Sequence, residues 1–159
     1  TKDDGSAFSV HHQGQKVGEV TWGMLGDHNV NNALAALAAA AHVGITPAQG
    51  CAALARFQGV KRRLEVRGVV NNITVYDDFA HHPTAIRTTL EGLRHRLPTS
   101  RIIAVLEPRS ASMKMGAFKD SLAAAFAVAD HVVLYQSPEV KWDVNTLTTQ
   151  LGPRGECHT

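Results

Sequence analysis

The chain has 159 residues, 44% hydrophobic and 19% charged, with a formal net charge of +2. That length supports one average core or two small ones, and so weak a charge offers no broad surface for nucleic acid. Two cysteines, Cys51 and Cys157, are too few for a disulfide framework or a cysteine zinc site, and no apolar run approaches the roughly 20 residues of a membrane helix.

The start, "TKDDGSAFSV", is not a signal peptide and does not begin with Met. A piece of a larger cytoplasmic protein is expected. "AFSVHHQGQKVGEVTWGM" reads as two short strands turning at Gln13-Gly14-Gln15. "GDHNVNNALAALAAAAHVGI" has a helix-forming alanine centre, with Gly44 placed to end it. In "TPAQGCAALARF", Thr46 is the expected N-cap of a second helix and Pro47 its first residue. The basic run Lys61-Arg62-Arg63 after Gly59 marks an expected boundary near 58–63.

"LEVRGVV" and "NITVYDD" follow as strands joined by an Asn71-Asn72 turn. "PTAIRTTLEGLRHRL" places Ile86, Leu90, Leu93 and Leu97 at helical spacing. "RIIAVLE" is an apolar strand. "AFKDSLAAAFAVA" is a helix with Phe118, Leu122, Phe126 and Ala129 toward one face, and "HVVLYQ" is another strand. Strand alternating with helix implies an α/β, Rossmann-like fold with a mainly parallel sheet containing "ITVY", "IIAVL" and "HVVLY". The tail "LGPRGECHT" has no periodicity and is expected to fray.

Ligands of open parallel sheets bind beyond the carboxyl ends of the strands. "DDFAHHPT" follows "ITVY" and "EPRSASMKMG" follows "IIAVL", so both loops are expected on one rim. They carry Asp77, Asp78, His81, His82, Glu107, Arg109, Ser110 and Lys114, a mixture suited to a polar, charged ligand. Each residue also has a plain structural reading. The aspartates suit a turn, the histidines a solvated loop or a helix start at Pro83, and Asn29 the N-cap of the alanine-rich helix. Arg62 and Arg63 suit a solvated linker, and Met113 and Met115 suit packing. Adjacent histidines lack the spacing of a zinc site, so no metal ligand is assigned. A metal-dependent hydrolase and a non-catalytic nucleotide-binding module remain the rival readings.

Three ordered stretches, "GDHNVNNALAA", "KRRLE" and "YDDFAHHPTAI", together resemble the Mur ligases, ATP-dependent enzymes that build the peptide of bacterial peptidoglycan. The resemblance implies that residues 1–60 end the central ATPase domain, contributing a strand hairpin and two helices. Residues 61–159 would be an incomplete C-terminal Rossmann-like domain. No G-x-x-G-K-[ST] phosphate loop occurs, although the family's central domain has one, so this stretch is expected to be inactive alone. By the same resemblance, Asp78 would bind the ATP ribose, Asn29 and Asn32 the adenine side, and Arg63 the terminal phosphates. His81 would stand where nucleotide and incoming amine meet, and Arg109 and Ser110 would contact the peptide. Arg63 and His81 are the catalytic candidates, and Mg²⁺ would be held mainly by parts of the enzyme outside this stretch. "DDFAHHPTAI" and "LEPRS" most resemble members that join the tripeptide L-Ala-γ-D-Glu-meso-diaminopimelate to UDP-N-acetylmuramate in peptidoglycan recycling. The L-alanine-adding members are the near relatives.

Overall fold

A computed structural model describes all 159 residues. It divides into two compact units, Thr1–Asp78 and Phe79–Thr159. The first opens with an antiparallel hairpin of β1 (Ala7–His12) and β2 (Gln15–Thr21). Gln13 and Gly14 both take positive φ at its turn, which matches the twist of the strands. Helices α1 (Asp27–His42) and α2 (Pro47–Leu54) follow. Phe8, Val10 and Val20 of the hairpin bury against Val30, Ala33 and Leu37 of α1 and Cys51 of α2. Trp22 stands edge-on to Phe8, and its indole N–H donates to the Gly5 carbonyl at 3.0 Å.

The expected caps of α2 form. The Thr46 hydroxyl accepts from the Gln49 N–H, and the Gln49 side chain reaches back to the Thr46 N–H. Asn29 is not the cap of α1. Gly26 is, at φ 87°, and Asn29 lies inside the first turn with its N–H bonded to the Gly26 carbonyl.

Strands β3 (Glu65–Val70) and β4 (Ile73–Asp77) complete the first unit. They pair antiparallel, and Asn71 and Asn72 both sit in the left-handed region at their turn. β4 pairs with β3 alone, so "ITVY" is not a strand of the parallel sheet. The expected Asn71-Asn72 turn forms, and the hairpin it closes is a sheet of its own. The expectation that "DDFAHHP" and "EPRS" share one sheet rim loses its premise. The compact division falls after Asp78.

The second unit is an α/β layer around a parallel sheet in the order β5–β6–β7. β5 is Ile103–Leu106, β6 is His131–Tyr135 and β7 is Gly155–His158. The tail expected to fray therefore supplies the third strand, paired in register with Val132–Tyr135. Around the sheet lie α3 (Pro83–Arg96), the short α4 (Ala111–Lys114), α5 (Lys119–Ala125) and α6 (Asn145–Leu151). Ile86, Leu90 and Leu93 are buried as their spacing predicts, with Leu122, Phe126, Val132, Leu134, Leu147 and Leu151.

Arg94, at the end of α3, is committed to structure. Its guanidinium donates to the carbonyls of Ser100 (2.6 Å) and Val128 (3.0 Å) and to the Asp130 carboxylate (2.5 Å). Asp130 in turn accepts from the Ile102 N–H, fixing the entry to β5. The other face of the sheet leaves Ile103 and Val105 exposed. No helix is long and apolar enough to cross a membrane.

Candidate functional site

In the first unit, three of the candidate residues gather around His28, which opens α1 with Asp27. Asn29 donates through its carboxamide nitrogen to the Leu25 carbonyl at 2.7 Å and lies 3.1 Å from His28 Nε2. With that nitrogen so engaged, the Asn29 oxygen is the atom left to accept a donor. Burial pushes the His28 imidazole below its ordinary pKa. The charge of Asp78 opposes that shift and the charge of Arg63 adds to it, so both side chains stand within electrostatic reach of the ring. Asp78 ends β4, and one of its oxygens accepts the Leu64 N–H at 2.8 Å, which anchors the Lys61–Leu64 turn. Its neighbour Asp77 faces Arg62 at 3.6 Å. Asn32, one turn along α1 from Asn29, is exposed.

His28 was not singled out in the sequence, although it is the histidine of the "GDHN" stretch. The signal was its place between a helix-starting glycine and an asparagine of the first turn.

In the second unit, His81 is exposed; its Nδ1 lies 2.9 Å from the Phe79 carbonyl and its ring stands edge-on to Phe79. His82 is the structural one of the pair. Its Nδ1 accepts the Thr84 N–H, capping α3, and its ring packs on Phe118. Ser110 caps α4 by accepting the Met113 N–H. Met113 is buried as expected of a packing residue, but Met115 is 69% exposed. Arg109 is exposed, with only a loose contact of 3.7 Å to Glu107. A surface pair of that kind contributes little and yields readily to a ligand.

The loop after β5 meets the loop after β6 at the carboxyl edge of the sheet. The Trp142 indole N–H donates to the Met113 carbonyl at 2.7 Å, the Lys141 N–H donates to the Lys114 carbonyl at 2.8 Å, and Lys114 pairs with Glu139. No group of three or more His, Cys, Asp or Glu side chains is placed to hold a metal ion.

Comparison with known proteins gives a family model, "Mur ligase, glutamate ligase domain", that matches residues 62–158. The chain is 52% identical over 149 residues to the UDP-N-acetylmuramate–L-alanyl-γ-D-glutamyl-meso-2,6-diaminoheptandioate ligase of Haemophilus influenzae, covering 93% of this chain and 33% of that protein. The Escherichia coli protein of the same name is 54% identical over 142 residues, covering 89% and 31%. The UDP-N-acetylmuramate–L-alanine ligase of Roseiflexus castenholzii is 48% identical over 115 residues, covering 72% and 24%. The chain thus spans about a third of the length of the first two relatives. Among solved structures, the murein peptide ligase of Psychrobacter arcticus matches with a TM-score of 0.67 and 44% identity, over 98% of this chain and 34% of that one. The UDP-N-acetylmuramate–alanine ligase of Thermotoga maritima matches with a TM-score of 0.77 and 28% identity, over 96% and 34%. Backbone likeness and sequence likeness rank these two differently. Sequence is the better guide to a substrate loop, because one backbone fold carries many specificities.

Proposed function

The chain belongs to the Mur ligase family, and on that footing we propose that it is the ATP-handling and amine-delivering part of a ligase joining L-Ala-γ-D-Glu-meso-diaminopimelate to UDP-N-acetylmuramate, in the bacterial cytoplasm and in the service of peptidoglycan recycling. The observation that carries this reading is the 52–54% identity, over about nine-tenths of the chain, to two ligases named for that tripeptide.

In the proposed reaction a carboxylate oxygen of the muramyl sugar attacks the γ-phosphorus of ATP, and ADP leaves. The free amine of the tripeptide then attacks the acyl carbon, phosphate leaves, and the nitrogen sheds a proton. Asp78, whose carboxylate can accept from both hydroxyls of a ribose, takes that sugar. Asn29 turns its free oxygen to the amino group of adenine, and Asn32 borders the same side. Arg63 is exposed and offers a planar fork to the terminal phosphates, where charge develops. His81 stands at the junction with the amine, and Arg109 and Ser110 receive the peptide. The Ser110 hydroxyl already accepts the Met113 N–H and lies 3.3 Å from the Ser112 hydroxyl, so it meets the peptide with whichever of its proton and second lone pair that second contact leaves. Magnesium enters as the partner of ATP, and no residue of this chain is assigned to it.

The test is steady-state kinetics of the full-length ligase carrying this segment, with tripeptide and free L-alanine compared as acceptors. The tripeptide is expected to give the higher kcat/KM. A preference for L-alanine would replace this reading with that of the L-alanine-adding relatives.

A further inference from the structure

The amino edge of the parallel sheet, one strand length or about 16 Å from the post-β5 and post-β6 loops, holds a second concentration of charge. A cleft of about 750 Å³ there is lined by Pro98, Thr99, Ser100, Arg101, Val128 and Arg154, with the Arg94–Asp130 pair in its wall. Three arginines meet one carboxylate, which leaves positive charge in excess by two. The arginines are not equivalent. Arg94 spends all three guanidinium nitrogens, on the carbonyls of Val128 and Ser100 and on Asp130. Arg154 spends only Nη1, which donates to the Ala129 carbonyl at 2.7 Å and more loosely to those of Phe126 and Ala127, closing the end of α5. Its Nε and Nη2 make no hydrogen bond within the protein, and that side of a guanidinium is a fork that matches two oxygens of one phosphate. Arg101 is exposed and makes neither a hydrogen bond nor an ion pair. The Thr99 and Ser100 hydroxyls are exposed and unbonded as well.

The backbone fixes how far apart the two uncommitted arginines stand. Ile102, next to Arg101, donates its N–H to the Asp130 carboxylate at 2.7 Å, and its carbonyl accepts the Asp130 N–H at 2.9 Å. Ala129, next to Asp130, holds Arg154. Arg101 leads into β5 and Arg154 into β7, with β6 between them. Two strand spacings, about 10 Å, therefore separate their backbones, a gap that two arginine side chains close on one shared group. From this juxtaposition we propose that the amino edge of the sheet is a binding site for an organic phosphate monoester, whose phosphate is taken between Arg101 and Arg154 with the Thr99 and Ser100 hydroxyls donating to it. A monoester carries up to two negative charges near neutral pH, which matches the excess. A carboxylate or a phosphodiester brings one and leaves an arginine unanswered. The volume is that of a small-molecule site rather than of phosphate alone, and Pro98, Ala127 and Val128 give the organic body an apolar wall. Asp130 does not oppose the anion, because Arg94 already neutralises it.

The experiment uses the full-length ligase carrying this segment. UDP-N-acetylmuramate and a non-hydrolysable ATP analogue are present in excess, so that the other phosphate-binding sites are filled. Phenyl phosphate, inorganic phosphate and phenol are each titrated by calorimetry. Phenyl phosphate is expected to bind once per chain and about tenfold or more tightly than inorganic phosphate, and phenol to show no binding. Arg101→Ala is expected to weaken phenyl phosphate about tenfold or more, and Arg101→Glu to abolish its binding. Arg154→Lys, which keeps the charge and a donor for Ala129 but loses the fork, is expected to weaken it by a similar factor. Both Arg101 variants should keep the parent's melting temperature and its ligase kcat/KM. Unchanged affinity in Arg101→Glu, or no saturable binding of phenyl phosphate below about 10 mM, would overturn the site. Inorganic phosphate binding as tightly as phenyl phosphate would overturn its assignment to an organic phosphate. Neither result bears on the proposed ligase reaction, which needs no residue of this cleft.

Discussion

Asp78 divides its oxygens between the protein and the proposed ligand, and that division makes the residue testable. Asp78→Ala is expected to raise KM for ATP by roughly ten- to a hundredfold, the usual effect of losing charge-assisted hydrogen bonds. KM for the tripeptide should change little, and kinetics with each substrate varied in turn checks both. Asp78→Asn keeps an acceptor for Leu64 and separates the loss of charge from the loss of the turn. His28 makes a different prediction. Its folded pKa lies below the ordinary value of 6.5, with burial the largest cause. The unfolded chain therefore takes up a proton first as pH falls. The stability this residue contributes is complete above about pH 6.5 and is lost as pH drops through the unfolded value toward the lowered folded one. Melting temperatures measured from pH 8 to pH 5 should fall less steeply for His28→Gln than for the parent chain. A parallel decline would show that the ring is not held neutral. The sequence made Asp78, Arg63 and Asn29 visible by residue type and order. His28 stood in the same "GDHN" stretch, but its half-burial is set by what surrounds it and is not written in the stretch itself.

Among the elements, those with local causes were legible. Helix α2 is announced by Thr46 and Pro47, and α3 by its apolar spacing and Pro83. Both form where their signals stand. Removing the cap by Thr46→Ala should cost about 1 kcal/mol of stability, read as a shift in the denaturant midpoint at unchanged slope. What escaped was fixed at a distance. Strand β7 has a single small apolar side chain, Cys157, and no alternation. It is a strand because β6 presents a free edge with matching hydrogen bonds. β4 has the apolar run of a parallel strand and still pairs only with β3, across the Asn71-Asn72 turn that the sequence did announce. Pairing partners, unlike strand propensity, are not local information.

At the scale of the whole chain, neither compact unit contains a phosphate loop, and the stretch amounts to about a third of the relatives it matches. These 159 residues alone are therefore expected to show no tripeptide-driven phosphate release. Turnover by this stretch would require the proposed ATP handling to be reassigned. The family and the α/β class were readable from three short stretches in order. One further consequence is optical. The chain has two tryptophans, and each unit holds one, Trp22 bonded to Gly5 and Trp142 bonded to Met113. Replacing either with phenylalanine leaves a protein whose emission reports on a single unit, so the unfolding of each can be followed in its own variant. The indole retained in the Trp22→Phe variant belongs to the loop after β6 and is bonded to Met113, so it would serve as a built-in lamp for events at that edge of the sheet.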